Sequence, residues 1–277
     1  MIKKHLITCS AMLVVLLTAK LFIFSTPINH LAVIKYNKKP QKAEVTTDKY
    51  FNSLSFANEE ILKGNKNVKK KMKRILKLHG YKHLQTNILH SKAALYFPTI
   101  EPILKHYGIP EDFKYIPLVE SGLKGGTSPK GASGYWQFMP QTARDFGLRV
   151  DSTLDERQTI SKSTVAAAKY LRSLYREFGS WTLVAAAYNI GEGSLKRQMN
   201  RQNEDNYFKM KLNRETASYV YKLISMKEII ENPKLYGYKG KAARLLAKAP
   251  VKVEKHFSHF NPVAEHSSFL ATPFKRN

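Results

Sequence analysis

From residue 91 to residue 238 the chain is divided at short intervals by residues that begin and end helices. Pro110 and Pro140 stand where helical segments open, and Gly179 stands where one closes. Proline at the first helical position and glycine just beyond the last are characteristic of α-helices. No segment alternates apolar and polar residues over several positions, as a half-buried strand would. The pattern therefore predicts an all-α fold.

Helical periodicity sets the expected bounds of these segments. Residues 66–90 predict one or two basic helices. Beyond them we expect a short helix within 97–107 and a second helix from Pro110 to Glu120, kinked at Pro117. Three more helices are expected to begin at Pro140, at a cap formed by Ser161 or Ser163, and at a cap formed by Asn213.

Composition along the chain predicts five regions. They are a signal peptide or signal anchor at 1–26, a linker at 27–65, a basic helical lead-in at 66–97, the main helical domain at 98–238 and a basic irregular tail at 239–277. The first is expected because Lys3 and Lys4 precede an apolar run, 6–24, that only Lys20 interrupts. No small-x-small pair follows the run, which favours an uncleaved anchor over a cleaved signal. An ordinary buried helix is the alternative.

The chain carries 46 Lys and Arg against 21 Asp and Glu, a net charge of +25. Such a charge attracts polyanions, whether nucleic acid, anionic lipid or an acidic cell-wall polymer. The basic run at 69–74 is more typical of a solvated helix face or a membrane-proximal stalk than of a nucleic-acid site, and the export-like N-terminus argues against nucleic acid. The single cysteine, Cys9, excludes an intrachain disulfide.

One carboxylate stands where an apolar helix meets glycine, in the stretch YIPLVESGLKGG at 115–126. Glu120 follows Leu118 and Val119 near the expected C-terminal end of that helix. Burial and the negative end of the helix dipole both disfavour a charged carboxylate, so we expect a raised pKa. A raised pKa suits a general acid that works near neutral pH. A solvated glutamate at a helix end is the alternative.

A loop rich in glycine and serine follows, SPKGASGYWQFMP at 128–140. Tyr135 and Trp136 offer flat faces of the kind on which sugars stack, while Ser128 and Gln137 offer directional hydrogen bonds. The same aromatic string could equally belong to the core.

Two further segments place polar side chains at helix ends. AAYNIGEG sets Tyr188 and Asn189 beside a Gly-rich turn. Glu215 and Tyr219 are four residues apart and share a helix face. Taken alone, the second pair is also typical of a solvated surface.

Together these segments resemble a known family. The ordered set ES…SPKGASGYWQFMPQTARDFGL…AAYNIGEG…ETASYV, within 98–238, is similar to the lytic transglycosylases with an SLT (soluble lytic transglycosylase-like) domain, in particular their membrane-bound D-like branch. The resemblance implies a lysozyme-like α fold of the goose type. It also implies cleavage of the β-1,4 bond between N-acetylmuramic acid and N-acetylglucosamine in peptidoglycan, without water and leaving 1,6-anhydromuramic ends.

The resemblance also assigns roles to individual residues. It makes Glu120 the single catalytic acid and base, with no cofactor or metal. The residues that match the family's substrate groove are Ser128, Gln137, Met139, Tyr188, Asn189, Glu215 and Tyr219. The chain departs from many relatives at Lys124–Gly126 and at Tyr135, which weakens the match around Ser128 more than at Glu120. His256 and His259 in the tail lack any further metal-ligand pattern.

The residue inventory agrees with a single-carboxylate mechanism. Common retaining and inverting glycosidases need a second carboxylate close to the first. No other Asp or Glu occurs between Glu120 and Arg144, so only a distant residue could supply one. In the resembled family the same glutamate first protonates the leaving oxygen and then accepts the proton of the C6 hydroxyl.

Two other functions fit the same segments. A goose-type lysozyme would cut the same bond with water, and a non-catalytic peptidoglycan-binding envelope protein would use the groove for binding alone. In each case the expected partners are peptidoglycan glycan strands, and the membrane through the N-terminal segment. The expected location is the cell envelope or periplasm, anchored to the inner membrane, or secreted if the segment is cleaved.

Overall fold

The structure is a computed structural model that describes residues 47–84 and 87–238. The helices in chain order are α1 (Asp48–Ser53), α2 (Lys66–His79), α3 (Tyr81–Leu84), α4 (Ile88–His106), α5 (Ile116–Ser121), α6 (Pro140–Asp145), α7 (Ile160–Phe178), α8 (Trp181–Ile190), α9 (Glu192–Gln202) and α10 (Thr216–Glu231). Short 3-10 helices cover Glu111–Tyr115, Glu156–Gln158 and Pro233–Tyr236. Strands β1 (Ser55–Phe56) and β2 (Glu59–Glu60) pair as an antiparallel hairpin.

The all-α prediction is confirmed for these residues, with the two-residue strands as the exception. Of the described helices, none is both long enough and apolar enough to cross a membrane. The predicted signal or anchor at 1–26 and the predicted tail at 239–277, with His256 and His259, lie outside the described residues.

The helices that carry the candidate site, α5, α8 and α10, are linked through α10. Residues 182–187 of α8 are buried, and they include three consecutive alanines, Ala185, Ala186 and Ala187, with no exposed surface. Small side chains let neighbouring helices approach closely, and α8 contacts α7, α9 and α10. α10 in turn contacts α2 and α5, so the ends of α5, α8 and α10 are held by one shared core.

The predicted helix bounds need three corrections. α4 begins at Ile88 and continues through Pro98 and Pro102, where a short helix within 97–107 was expected. A buried stripe at 93, 97, 100 and 104 explains why the helix persists despite two missing amide donors, because its packing outweighs the cost of proline. Pro117 lies in the first turn of α5 after a separate 3-10 helix, not at a kink.

Capping is the third correction. α7 has Thr159 at its N-cap position, and Ser163 is buried inside the helix with its hydroxyl donating to the Thr159 carbonyl. The predicted capping role of Asn213 is observed in its hydrogen bond, since the Asn213 side chain accepts the backbone N–H of Thr216 at 2.9 Å.

The linker prediction is wrong for the part of 27–65 that the structure describes. Phe51, Leu54, Phe56 and Ile61 are all buried in the core. Their spacing follows no helical or strand period because α1 and the hairpin are too short to show one. Glu59 ties the hairpin to the centre of the fold, since its carboxylate accepts the backbone N–H groups of Trp181 (2.5 Å) and Thr182 (2.9 Å) at the N-terminus of α8.

α2 is the basic helix expected in the lead-in region 66–97. Asn65 caps it by accepting the N–H groups of Asn67 and Val68. Its buried face carries Val68, Met72, Ile75 and Leu76, at the spacing of an amphipathic helix. This face packs on α10, so α2 belongs to the same core as the candidate site.

Candidate active site

α5 presents Glu120 from its last turn. Pro117 and Leu118 are buried, and the chain leaves the helix through Gly122 in the left-handed region at φ 61°. The Gly122 N–H donates to the Leu118 carbonyl at 3.1 Å, and the Leu123 N–H donates to the Pro117 carbonyl at 2.9 Å. This is the usual glycine-terminated helix end, and it fixes the position of the half-buried Glu120.

The surroundings of Glu120 favour its protonated form. Burial is the largest influence and raises the pKa of the Glu120 carboxyl above its ordinary value. The hydrogen bond from Tyr219 opposes that rise, the negative charge of Glu215 adds to it, and the positive charge of Lys222 opposes it. The net pKa is raised, in the direction expected from the sequence.

Two tyrosines, Tyr219 and Tyr188, lie close to this carboxyl. The Tyr219 hydroxyl donates to Glu120 Oε1 at 2.5 Å, and the Tyr219 side chain is almost fully buried on α10. Tyr188, at the end of α8, is partly exposed as a residue, and its hydroxyl donates to the Trp136 carbonyl at 2.7 Å. Burial, with the nearby Glu120 charge second, raises the pKa of both tyrosines well above the ordinary value. Both therefore act as neutral donors.

Asn189 is oriented by a polar cluster at the start of α10. Its carbonyl oxygen accepts the hydroxyl of Thr216 at 2.7 Å, and its amide donates to Glu215 at 3.4 Å. Thr216 is buried and also receives the amide of Asn213 at 3.0 Å. Thr216 was missed by the sequence analysis, although it lies inside the ETASYV segment. Glu215 itself is exposed, immediately before α10.

Trp136 does not offer a face for sugar stacking. It is fully buried, and its indole N–H donates to the Thr164 hydroxyl at 3.0 Å, so the alternative reading of this aromatic as core is correct. Tyr135 is partly exposed, with its ring centroid 5.1 Å from that of Tyr96. Tyr135 is therefore the accessible aromatic of the pair.

The other predicted loop residues are engaged within the loop. The Ser128 hydroxyl accepts the Ala132 N–H at 3.1 Å. Gln137 lies in the left-handed region (φ 51°), and its amide donates to the Gly134 carbonyl at 2.8 Å. Met139, just before α6, leaves 47% of its surface exposed.

The loop is fixed from outside by Arg157, which the sequence analysis did not single out. The Arg157 guanidinium is buried, donates to the carbonyls of Gly131 (3.0 Å) and Phe138 (2.9 Å), and pairs with Asp155 at 2.7 Å. The backbone fits so closely that a Cβ on Gly134 would lie 1.8 Å from the Arg157 carbonyl oxygen. Arg157 lies in the segment DERQTISKS at 155–163, where neither residue type nor spacing indicates this role.

The structure thus gathers some of the predicted residues around Glu120 more closely than others. Tyr219 bonds to it directly, while Tyr188 and Glu215 interact with it through their charges or dipoles. Asn189 is connected through Glu215. Over 47–84 and 87–238, no hydrogen bond joins Ser128, Gln137 or Met139 to Glu120. The same ranges hold no group of three or more His, Cys, Asp or Glu side chains that could bind a metal.

Comparison with known proteins gives concordant results. Residues 99–211 match the family model described as "Transglycosylase SLT domain". The chain is 31% identical over 192 residues to "Membrane-bound lytic murein transglycosylase D" of Escherichia coli (strain K12), covering 66% of this chain and 42% of that protein. It is 33% identical over 165 residues to a protein of Alteromonas sp. (strain M-1) named "Putative tributyltin chloride resistance protein", covering 57% of this chain and 79% of that one.

One solved structure that resembles the chain is an inactive E503Q mutant of the lytic transglycosylase Slt from Pseudomonas aeruginosa. The identity is 24%, the TM-score is 0.38, and the alignment covers 51% of this chain and 24% of that one. The chain spans less than half the length of the Escherichia coli relative. On the family match and the sequence identities, the chain belongs to the transglycosylase SLT domain family.

Proposed function

We propose that the chain is a peptidoglycan lytic transglycosylase. It cleaves the β-1,4 bond between N-acetylmuramic acid and N-acetylglucosamine and leaves a 1,6-anhydromuramic end. The observation that carries the proposal is the half-buried Glu120 carboxyl, whose pKa is raised and which receives the Tyr219 hydroxyl at 2.5 Å. Membership of the SLT domain family and the name of the Escherichia coli relative support the substrate class.

The reaction uses one carboxyl twice. Protonated Glu120 gives its proton to the glycosidic oxygen as the bond from that oxygen to C1 of the muramic residue breaks. The resulting carboxylate then takes the proton of the C6 hydroxyl as O6 bonds to C1, which restores protonated Glu120. No water is consumed. The family resemblance further implies that the carbonyl of the sugar's own 2-acetamido group stabilises C1.

The neighbouring residues support both halves of this cycle. Burial favours the neutral acid before cleavage. After cleavage, the Tyr219 hydrogen bond and the Lys222 charge stabilise the carboxylate, since both lower the pKa. Tyr188, Asn189 and Glu215 would orient the glycan beside Glu120. Ser128, Gln137 and Met139 would form the opposite edge of the groove, with Met139 the most exposed of the three.

A hydrolase is the second candidate, and Glu215 is the observation that favours it. Among the described residues, Glu215 is the carboxylate whose charge acts on Glu120. Being exposed, it could activate a water molecule as the base of an inverting enzyme. Its hydrogen bond with Asn189 instead suits a role in positioning.

Product analysis tests the proposal. The full-length chain is incubated with purified peptidoglycan sacculi, and the released muropeptides are identified by mass spectrometry. We expect anhydromuramic products from the wild type and none from Glu120→Gln. Reducing muramic ends would favour the hydrolase, while binding to sacculi without any cleavage products would favour a non-catalytic envelope protein.

We further propose that the protein acts in the cell envelope, anchored at the inner membrane through 1–26. The support is the sequence of that segment and the words "membrane-bound" in the relative's name. Separating membranes from soluble periplasm, with and without residues 1–26, tests this location; recovery of the intact chain in the soluble fraction would contradict anchoring.

A further inference from the structure

A second concave feature lies next to the Glu120 site, between α2 and α10. It is a pocket of about 390 Å³. Its charged and titratable lining residues are Arg74 and His79 from α2, and Arg214, Glu215 and Lys222 from α10 and the residues just before it. The mechanism above assigns the pocket as a whole no role.

The pocket presents more positive charge than its own residues neutralise. Arg74, Arg214 and Lys222 face a single carboxylate, that of Glu215. Within the described ranges, none of the three cations forms an ion pair with a carboxylate. Burial, with the Lys222 charge second, lowers the pKa of His79 to about 4, so His79 is neutral near pH 7 and leaves the three cations to set the charge.

The pocket and the candidate active site share one wall. Glu215, Ser218 and Lys222 follow one face of the start of α10, and Tyr219, in the same turn, bonds to Glu120. Glu215 and Lys222 also act on the pKa of Glu120 through their charges. A substituent on a sugar bound at Glu120 could therefore reach the pocket by passing a single helical turn, about 5.4 Å along the axis.

We propose that this pocket binds the carboxylates of the short peptide that peptidoglycan carries on its muramic residues, an inference that rests on the proposed function. A peptide of two or three residues spans about 7–10 Å when extended, enough to cross that turn. Neutral sugar rings offer no anionic partner for three unpaired cations, whereas a peptide with several free carboxylates can form charge-assisted hydrogen bonds with them. The pocket selects peptide-bearing glycan over glycan from which the peptides have been removed.

The test is a double variant, Arg74→Gln with Arg214→Gln, because neither residue acts on Glu120. The matched control is Lys70→Gln with Lys77→Gln, which removes the same charge from exposed positions of α2 outside the pocket. Each full-length variant is assayed on peptide-bearing glycan and on glycan stripped of peptides by an amidase. We expect the pocket variant to lose about tenfold in kcat/KM on peptide-bearing glycan, and less than about twofold on stripped glycan.

Equal losses on both glycans, no loss on peptide-bearing glycan, or the same selective loss in the lysine control would overturn the inference. A binding measurement separates this result from the fate of the proposed function. Binding of the inactive Glu120→Gln chain, with and without the pocket substitutions, is measured on each glycan after the glycan has been immobilised on a surface. If the wild type cleaves neither glycan, the proposed function fails, yet a selective binding loss on peptide-bearing glycan would still support the pocket.

Discussion

The Glu120 cluster and the 128–140 loop both carry residues typical of the family, but they use them in different ways. Around Glu120, Tyr219 and Lys222 of α10 and Glu215 just before that helix act on one carboxyl and change its pKa. In the loop, Trp136 is buried and Gln137 donates to the loop's own backbone. A family motif can therefore specify chemistry in one segment and the shape of a groove wall in another.

The largest effect is expected at the chemical centre of this comparison. Glu120→Gln keeps the size of the side chain but removes the proton donor, so activity should fall by about a thousandfold. The melting temperature should change little, because the amide can still accept the Tyr219 hydroxyl. Kinetics and thermal unfolding measure the two effects. Glu177→Gln, an exposed residue paired with Lys196, is the control; near-normal turnover by Glu120→Gln would end the single-carboxyl account.

In the 128–140 loop, a substitution that changes the backbone packing should lower the stability of the fold. Gly134→Ala forces a Cβ to within 1.8 Å of the Arg157 carbonyl oxygen at φ 77°. We expect a loss of roughly 3 kcal/mol in the free energy of unfolding. Gly131→Ala is the matched control, since it has a similar φ of 84° but no atom within 4 Å of the new Cβ; its cost should be roughly 1 kcal/mol. Equal costs in urea unfolding would show that backbone strain alone matters.

Two substitutions beside Glu120 should move the pH profile in opposite directions. In the proposed mechanism protonated Glu120 is the active form, so kcat/KM should fall as the pH rises through the pKa of Glu120. Tyr219→Phe removes a hydrogen bond that lowers this pKa, and the alkaline limb should move to higher pH, with kcat about tenfold lower. Glu215→Gln removes a charge that raises the pKa, and the limb should move to lower pH.

Tyr221→Phe, a buried tyrosine on the same helix, is the control for these profiles and should leave the limb in place. Shifts of the same sign in Tyr219→Phe and Glu215→Gln would contradict the electrostatic description of the site.

The smallest effect is expected where Glu59 caps α8, at the end of that helix opposite Tyr188. Glu59→Gln should cost about 1 kcal/mol of stability, because a neutral amide is a weaker acceptor at the positive end of a helix. The pH profile should not move. Glu60→Gln, on the adjacent exposed position, is the control and should be neutral within about 0.5 kcal/mol in chemical unfolding. An altered profile in Glu59→Gln would mean that α8 transmits strain to Tyr188.

Local signals in the sequence were enough to predict the helical architecture and the position of Glu120. Proline and glycine mark helix ends through backbone geometry alone, so α5 and its Gly122 exit could be predicted. The hydrogen bond between Tyr219 and Glu120, 99 residues apart, was not predicted; the family resemblance only assigned both residues to the same site.

The features that were missed depend on contacts distant in sequence. Arg157 holds carbonyls 19 and 26 residues away, and Glu59 caps a helix more than 120 residues away. Neither residue type nor local periodicity indicates such partners. The burial of Trp136 could not be predicted for the same reason. A loop has no regular periodicity, so the sequence does not indicate whether an aromatic side chain in it points into the core or into solvent.

The central claim is that the substrate's own C6 hydroxyl, not water, attacks C1 after Glu120 has given up its proton. Cleavage of peptidoglycan in water enriched in oxygen-18, followed by mass spectrometry of the new muramic ends, tests it most directly. The account predicts anhydro ends without the heavy isotope, in the wild type and in Glu215→Gln alike. Reducing ends that carry one oxygen-18 atom, and that disappear in Glu215→Gln, would contradict it and establish a hydrolase with Glu215 as its base.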